Sequence, residues 1–211
     1  MVFEYLDIIN KKKIILASSS PRRKMIFEQL GLKFEVVVSG FIENLDKSLF
    51  KTEVDYVTAN SKGKCFDVVK KIPDADLIVG CDTVVLFDNK IVEKPKDEAD
   101  AYRILNMLSG KVHKVVSVVT LVCPQIKVDG EPLTEIFHNI SSVEFEPLSQ
   151  AFIKTYIEKG LCYGKAGAYG IQDIGGCFVK RIDGCYANIV GFPTPAFCEH
   201  LDDIVKKYWI S

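Results

Sequence analysis

Apolar positions along this chain switch between short unbroken runs and helical spacing. Residues 14–17, Ile-Ile-Leu-Ala, form a brief run that leads into Ser18-Ser19-Ser20-Pro21, which predicts a buried strand followed by a helix start. Ser20 is placed as N-cap and Pro21 at the first helical position, where a missing N–H costs nothing. That helix should run from Arg22 to about Leu30 with Met25, Ile26 and Leu30 on one face, and Gly31 should close it. Residues 34–38 read as the next strand. A second helix is expected from Thr52, with Asp55 in capping-box position, to about Lys70, with Gly63 as an internal weak point. Residues 77–87 read as a long β-branched strand that Asp88-Asn89 folds back into a short arm at 90–92. A helix over 97–109 ends at Gly110, and two strands at 112–123 and 136–145 flank a turn at Asp129-Gly130. Ser149 caps a helix that reaches about Glu158. Residues 164–176 hold five glycines and show neither period, and a strand at 177–182 and a helix from about Pro195 to Tyr208 complete the chain.

The mixture of crossover units and hairpins predicts an α/β protein with a mixed sheet. No repeat, low-complexity stretch or linker divides the 211 residues, so residues 1–211 are read as one domain, two-lobed at most. The composition is 48% hydrophobic and 26% charged, which disfavours disorder and coiled coil. With 27 Lys+Arg against 28 Asp+Glu the net charge is -1, so no global field draws in nucleic acid or an anionic membrane, and any phosphate site must be local. The longest apolar runs are short and interrupted by Asp82 or by His113 and Lys114, and the first ten residues lack a basic segment, so a soluble, unexported, cytoplasmic protein is expected. Seven cysteines without a C-x-x-C pair fit reduced thiols, and three scattered histidines give no zinc pattern.

Three constellations carry candidate chemistry. The first is Ser18-Ser19-Ser20-Pro21-Arg22-Arg23. Free N–H groups and the positive dipole end at a helix start favour anions, whereas arginines in that first turn are disfavoured there without one. Ser18, Ser20, Arg22 and Arg23 therefore read either as a polyphosphate cradle or as a capped helix with solvated arginines. The pattern is not a P-loop. The second is Gly80-Cys81-Asp82-Thr83, which sets a carboxylate inside an apolar strand. Asp82 reads as a metal ligand or general base, or else as a bulge aspartate bonded to backbone N–H groups. Lys94 could be returned toward it by the hairpin, or be solvated. The third is Lys165-Ala166-Gly167-Ala168-Tyr169-Gly170-Ile171-Gln172. Its glycines allow close approach, Lys165 suits a phosphate and the Gln172 amide suits a base edge. Taken separately, the same features describe an ordinary loop.

These motifs, with Leu16-Ala17 before the serines, Glu93-Lys94-Pro95, Leu108-Ser109-Gly110 and Val190-Gly191-Phe192-Pro193, follow one another in the order of the Maf family, and the resemblance covers about residues 14–200. It implies an elongated α/β fold in two lobes with a central cleft, similar to inosine triphosphatases. It also implies a cytoplasmic nucleoside triphosphate pyrophosphatase that depends on a divalent cation, Mg2+ or Mn2+, of a family that often forms homodimers. By the resemblance, Asp82 matches the proton acceptor, and Arg22, Thr83 and Gln172 match positions tied to substrate choice, of the dTTP/UTP type. Glu43 resembles the family's acidic position and, with Asp82, is the expected metal contact; Lys64, Lys94 and Lys165 resemble its lysines. Leu161 and Gly164 stand where the family usually has acidic residues, and Cys81 where it has Ala or Ser. The segment Asn44-Leu45-Asp46-Lys47 looks like the Maf halves of eukaryotic two-domain proteins, with no methyltransferase-like domain expected after it. A non-catalytic nucleotide-binding regulator and a hydrolase of modified nucleotides are the alternatives.

Overall fold

Hydrophobic runs and caps place most of the elements in a computed structural model that describes residues 2–210. A short N-terminal helix, α1 (Leu6–Ile9), precedes the fully buried strand β1 (Ile14–Leu16). Helix α2 (Pro21–Gln29) follows, with Pro21 in its first turn and Gly31 leaving in the left-handed region at φ 71°. Ser20 sits at the N-cap, but its side chain makes no capping bond; instead the Ser18 hydroxyl accepts from the Ser20 amide at 3.2 Å. The strand expected at 34–38 shrinks to β2 (Glu35–Val36), exposed at both residues. Helix α3 (Glu53–Lys71) begins in a full capping box between Thr52 and Asp55, which satisfies two donors that would otherwise be orphaned.

The hairpin prediction holds: β3 (Leu77–Phe87) returns as β4 (Lys90–Val92) through Asp88 and Asn89, both at positive φ, 48° and 56°. Two consecutive left-handed residues match the right-handed twist of paired strands. After α4 (Glu98–Leu108), capped by Asp97, come β5 (Val112–Val128) and β6 (Glu131–Phe145), both longer than expected and joined by Asp129 and Gly130 at φ 52° and 87°. Helix α5 (Gln150–Glu158), capped by Ser149, leads to the glycine tract, which forms only 3-10 turns. Strand β7 (Val179–Asp183), α6 (Tyr186–Val190) and α7 (Thr194–Ile204) end the fold, and a π-helical turn, Val205–Trp209, replaces the last part of the expected helix.

The seven strands form one sheet in the order β2-β1-β3-β5-β6-β7, with β4 beside β3. β1 runs parallel to β2 and β3, whereas the β3–β4 and β6–β7 pairs are antiparallel, so the mixed α/β expectation is met. The chain contributes to two compact units. The first takes in residues up to 82, 118–138 and 191 onward, and the second residues 83–117 and 139–190. In the first unit, Ile15, Ile78 and Val122 of the sheet, with Ala17 just after β1, pack against Cys65 and Val68 of α3. Phe27 of α2, Phe197 of α7 and Phe192 in the turn before α7 form an aromatic knot with ring centroids 5.0–5.3 Å apart. The second unit is centred on His113, Phe145, Tyr169 and Phe178, whose rings meet edge to face.

Candidate functional site

Asp82 is the polar residue that interrupts β3, and it is 6% exposed. A carboxylate so placed needs a donor or a cation, and α3 supplies one: Lys64 Nζ lies 2.8 Å from Asp82 Oδ1 and 2.7 Å from Glu43 Oε2. Gly80 is what lets the helix come close enough. A Cβ there would stand 2.8 Å from the Ser61 carbonyl and 2.8 Å from Cys65 Cβ, both on α3. The Ser61 and Thr120 hydroxyls, 2.9 Å apart and buried, tie the same helix to β5. Of the two readings of Asp82, the bulge bonded to backbone N–H groups is thus replaced by an ion pair.

Glu43 and Asp82 converge on one ammonium, so their carboxylates face a shared point. Two hard oxygen donors suit Mg2+, which commonly takes one or two protein carboxylates and completes its shell with water and substrate phosphates. Among the described residues no group of three or more His, Cys, Asp or Glu is gathered as a metal-binding set.

Ser18 follows β1 and is buried, while Arg22 and Arg23 lie in the first turn of α2. Their surroundings differ. Arg23 is 8% exposed and donates from Nε to the Gly191 carbonyl at 3.0 Å, and from Nη1 to the Cys81 carbonyl at 2.7 Å and the Ser18 hydroxyl at 3.2 Å. It links α2 to β3 and to the start of the last segment. Arg22 is half-buried, and Ser20 beside it is likewise half-buried. Ser18, Arg23, Lys64, Glu43 and Asp82 all belong to the first unit, where Arg23 connects the serine loop to the backbone next to Asp82.

The remaining candidates, Thr83, Lys94, Lys165 and Gln172, lie in the second unit. Thr83 Oγ1 is 2.8 Å from Ser117 Oγ, which in turn donates to the Asn188 carbonyl. Lys94 and Gln172 are exposed. Lys165 donates to the Leu161 carbonyl at 2.8 Å and pairs with Asp173 Oδ2 at 2.5 Å. Asp173 also accepts from the Gly175 amide at 3.0 Å, so one carboxylate both caps the following 3-10 turn and holds the lysine. Sequence reasoning passed over Asp173, Ser117, Asn188 and His113. Ser117 had a usable signal, a hydroxyl inside an apolar strand, the same logic that singled out Asp82. Asp173 had none, because an acidic residue in a loop is ordinarily solvated.

A sequence model of the Maf family, described as "Maf-like protein", matches residues 13–204. The chain belongs to the Maf-like family. Among its relatives is a dTTP/UTP pyrophosphatase of Clostridium perfringens strain SM101, 43% identical over 182 residues and covering 86% of this Maf-like chain and 91% of the relative. Another is a dTTP/UTP pyrophosphatase of Ruminiclostridium cellulolyticum, 41% identical over 196 residues, 93% and 98% of the two chains. A human protein named probable bifunctional dTTP/UTP pyrophosphatase/methyltransferase is 39% identical over 204 residues, 94% of this chain and 32% of its own length. The Maf-like chain therefore spans about a third of that human relative. A solved nucleoside-triphosphatase / dITP/XTP pyrophosphatase of Mycobacterium abscessus aligns with TM-score 0.41 and 16% identity over 64% of this chain and 75% of its own, too slight a likeness to bear on the fold.

Proposed function

We propose that this Maf-like protein hydrolyses dTTP, UTP or related nucleoside triphosphates, modified ones included, to the monophosphate and pyrophosphate. The observation that carries this reading is the buried Asp82, held by Lys64 beside Glu43 in the middle of an apolar strand. Buried ion pairs stabilise folds weakly or not at all compared with apolar packing, so chemistry is the better account of why this one is present. Support also comes from relatives about 40% identical that bear the name dTTP/UTP pyrophosphatase.

In this reading Asp82 accepts the proton of the water that attacks the α-phosphorus. Lys64 keeps that carboxylate oriented and adds positive charge as the pyrophosphate departs. Ser18, Ser20 and Arg22 offer donors to the phosphates at the start of α2, and Arg23, bound to two carbonyls and Ser18, holds that loop in place. A divalent cation, Mg2+ or Mn2+, held by Glu43 and Asp82 together with substrate oxygens would supply charge neutralisation for the polyphosphate. Lys94 and Lys165 are assigned to the phosphates, and Thr83 and Gln172 to base selection, on the strength of the motifs that carry them. The cytoplasmic setting, the homodimer and the treatment of residues 1–211 as one domain belong to the same proposal. Among the described residues no helix is long and apolar enough to cross a membrane.

The test is to incubate the purified protein with Mg2+ and a panel of ordinary and modified nucleoside triphosphates, separating nucleotides and assaying pyrophosphate against orthophosphate. Monophosphate plus pyrophosphate from UTP or dTTP is the expected result. Asp82→Asn should lose at least about 10²-fold in turnover while still binding nucleotide, the scale for removal of a general base. Full turnover in that variant would remove Asp82 from the mechanism. Nucleotide binding without any product from the wild-type protein would overturn the hydrolase reading in favour of a regulator.

A further inference from the structure

His113, in the second residue of β5, is 2% exposed, and its Nε2 lies 2.9 Å from the Tyr169 hydroxyl. Both rings pack edge to face on Phe145, each with centroids 4.7 Å away. Tyr169 is itself 5% exposed. His113 Nδ1 is buried and has no hydrogen-bond partner among the described residues. Burial pushes the imidazole down to about 4, so it is neutral near physiological pH and carries one N–H.

The hydrogen count of this pair does not close. A neutral histidine and a tyrosine bring two donor hydrogens, and their one mutual bond uses one of them. If the proton sits on Nδ1, that N–H is orphaned; if it sits on Nε2, the tyrosine O–H is left over. An unmet buried donor destabilises the fold, and two apolar rings of the same shape would leave none. Packing alone therefore does not account for the pair.

What the pair holds is the glycine tract. Gly167 and Ala168 immediately before Tyr169 are both left-handed, at φ 71° and 62°, a strained conformation for alanine that persists only where neighbouring contacts enforce it. No strand ladder or α-helix spans residues 161–178, so side-chain anchors must fix the path. Lys165 and Asp173 clasp the two ends of the tract at 2.5 Å, and Tyr169 is pinned between them. Gly175 fits beneath the Gly170 carbonyl with no room for a Cβ. Three residues after Tyr169 stands the exposed Gln172.

We propose that His113 is a positioning residue, which, through the Tyr169 hydroxyl, fixes the backbone of the tract and so the Gln172 amide that selects the pyrimidine base. The second half rests on the role given to Gln172 in the proposed function; the first half does not.

The experiment compares wild type with Tyr169→Phe, His113→Phe and the double variant. It measures denaturant midpoints, kcat and KM for UTP and CTP, and amide hydrogen exchange over residues 165–176. In either single variant KM for UTP should rise by about tenfold and the preference over CTP should shrink, with kcat within about twofold, the signature of lost alignment of bound substrate rather than lost chemistry. Exchange in the tract should rise. The double variant should be no worse than either single, since both delete one bond, and should be at least as stable as wild type because it removes the orphaned donor. Losses that add in the double variant, or that follow a falling denaturant midpoint, would overturn the proposal. So would unchanged tract exchange in Tyr169→Phe. If wild type itself discriminates no base, the reading of Gln172 fails, and the exchange measurement alone decides whether His113 holds the tract.

Discussion

At the scale of single residues, burial decides which groups titrate and when. His113 has no charged partner, and desolvation alone lowers it from 6.5 to about 4. The unfolded chain binds this proton below about pH 6.5 and the folded chain does not. Its contribution to stability is therefore complete above 6.5, declines as pH falls toward 4, and changes no further below that. The size is on the order of 3 kcal/mol from a shift of this extent. Denaturant midpoints between pH 4 and 7.5 should show the decline in wild type and its loss in His113→Phe. A wild-type slope that survives in the variant would assign it to other groups. The contrast with Asp82 explains what could be read from sequence at this scale. A carboxylate in an apolar strand demands a partner, and Lys64 duly stands against it. Arg23 reads as a phosphate ligand from its type and place, whereas its bonds to the carbonyls of Cys81 and Gly191 could not be read, because every residue carries such an acceptor and no residue type marks it.

At the scale of elements, α3 is the part whose placement matters most, since it carries Lys64 to β3. Its approach is set at Gly80, where a Cβ would meet the Ser61 carbonyl and Cys65 Cβ. Both obstacles sit on packed groups rather than on flexible chain ends. Gly80→Ala should therefore cost about 1–3 kcal/mol, the usual penalty for overpacking, and should reduce pyrophosphate release by more than the unfolded fraction accounts for, because Lys64 moves with its helix. Activity that merely follows the folded fraction would show that the helix position is not critical. Most elements were legible from their caps and turns: Thr52 with Asp55, Ser149, and the turns at 88–89 and 129–130 all stand where the sequence put them. The failures share a cause. Helix α6 spans five residues, less than two turns, so no period can develop, and β2 is exposed on both residues, so no buried face marks its extent.

At the scale of the molecule, burial sorts the seven cysteines. Cys65 and Cys123 are pushed up to about 12 by burial, whereas Cys177 is exposed. A thiolate is the reactive form. A thiol reagent at pH 8 should thus label Cys177 in the folded protein and reach Cys65 and Cys123 only on unfolding, as peptide mass analysis would reveal. Early labelling of Cys65 would mean that the packing of α3 on the sheet opens readily. The α/β class and the mixed sheet were legible at this scale because hairpin and crossover signals coexist. Which residues make up each of the two compact units was not legible, since each is assembled from separated stretches of chain. That assembly has a consequence for synthesis. Arg23 emerges early from the ribosome, but the Gly191 carbonyl that holds it follows 168 residues later. The serine loop and the first turn of α2 can be tied to the Cys81 carbonyl once β3 is made, but the bond from Nε must wait for Gly191, so a nascent chain stalled before that residue would display this region with one of its fastenings missing.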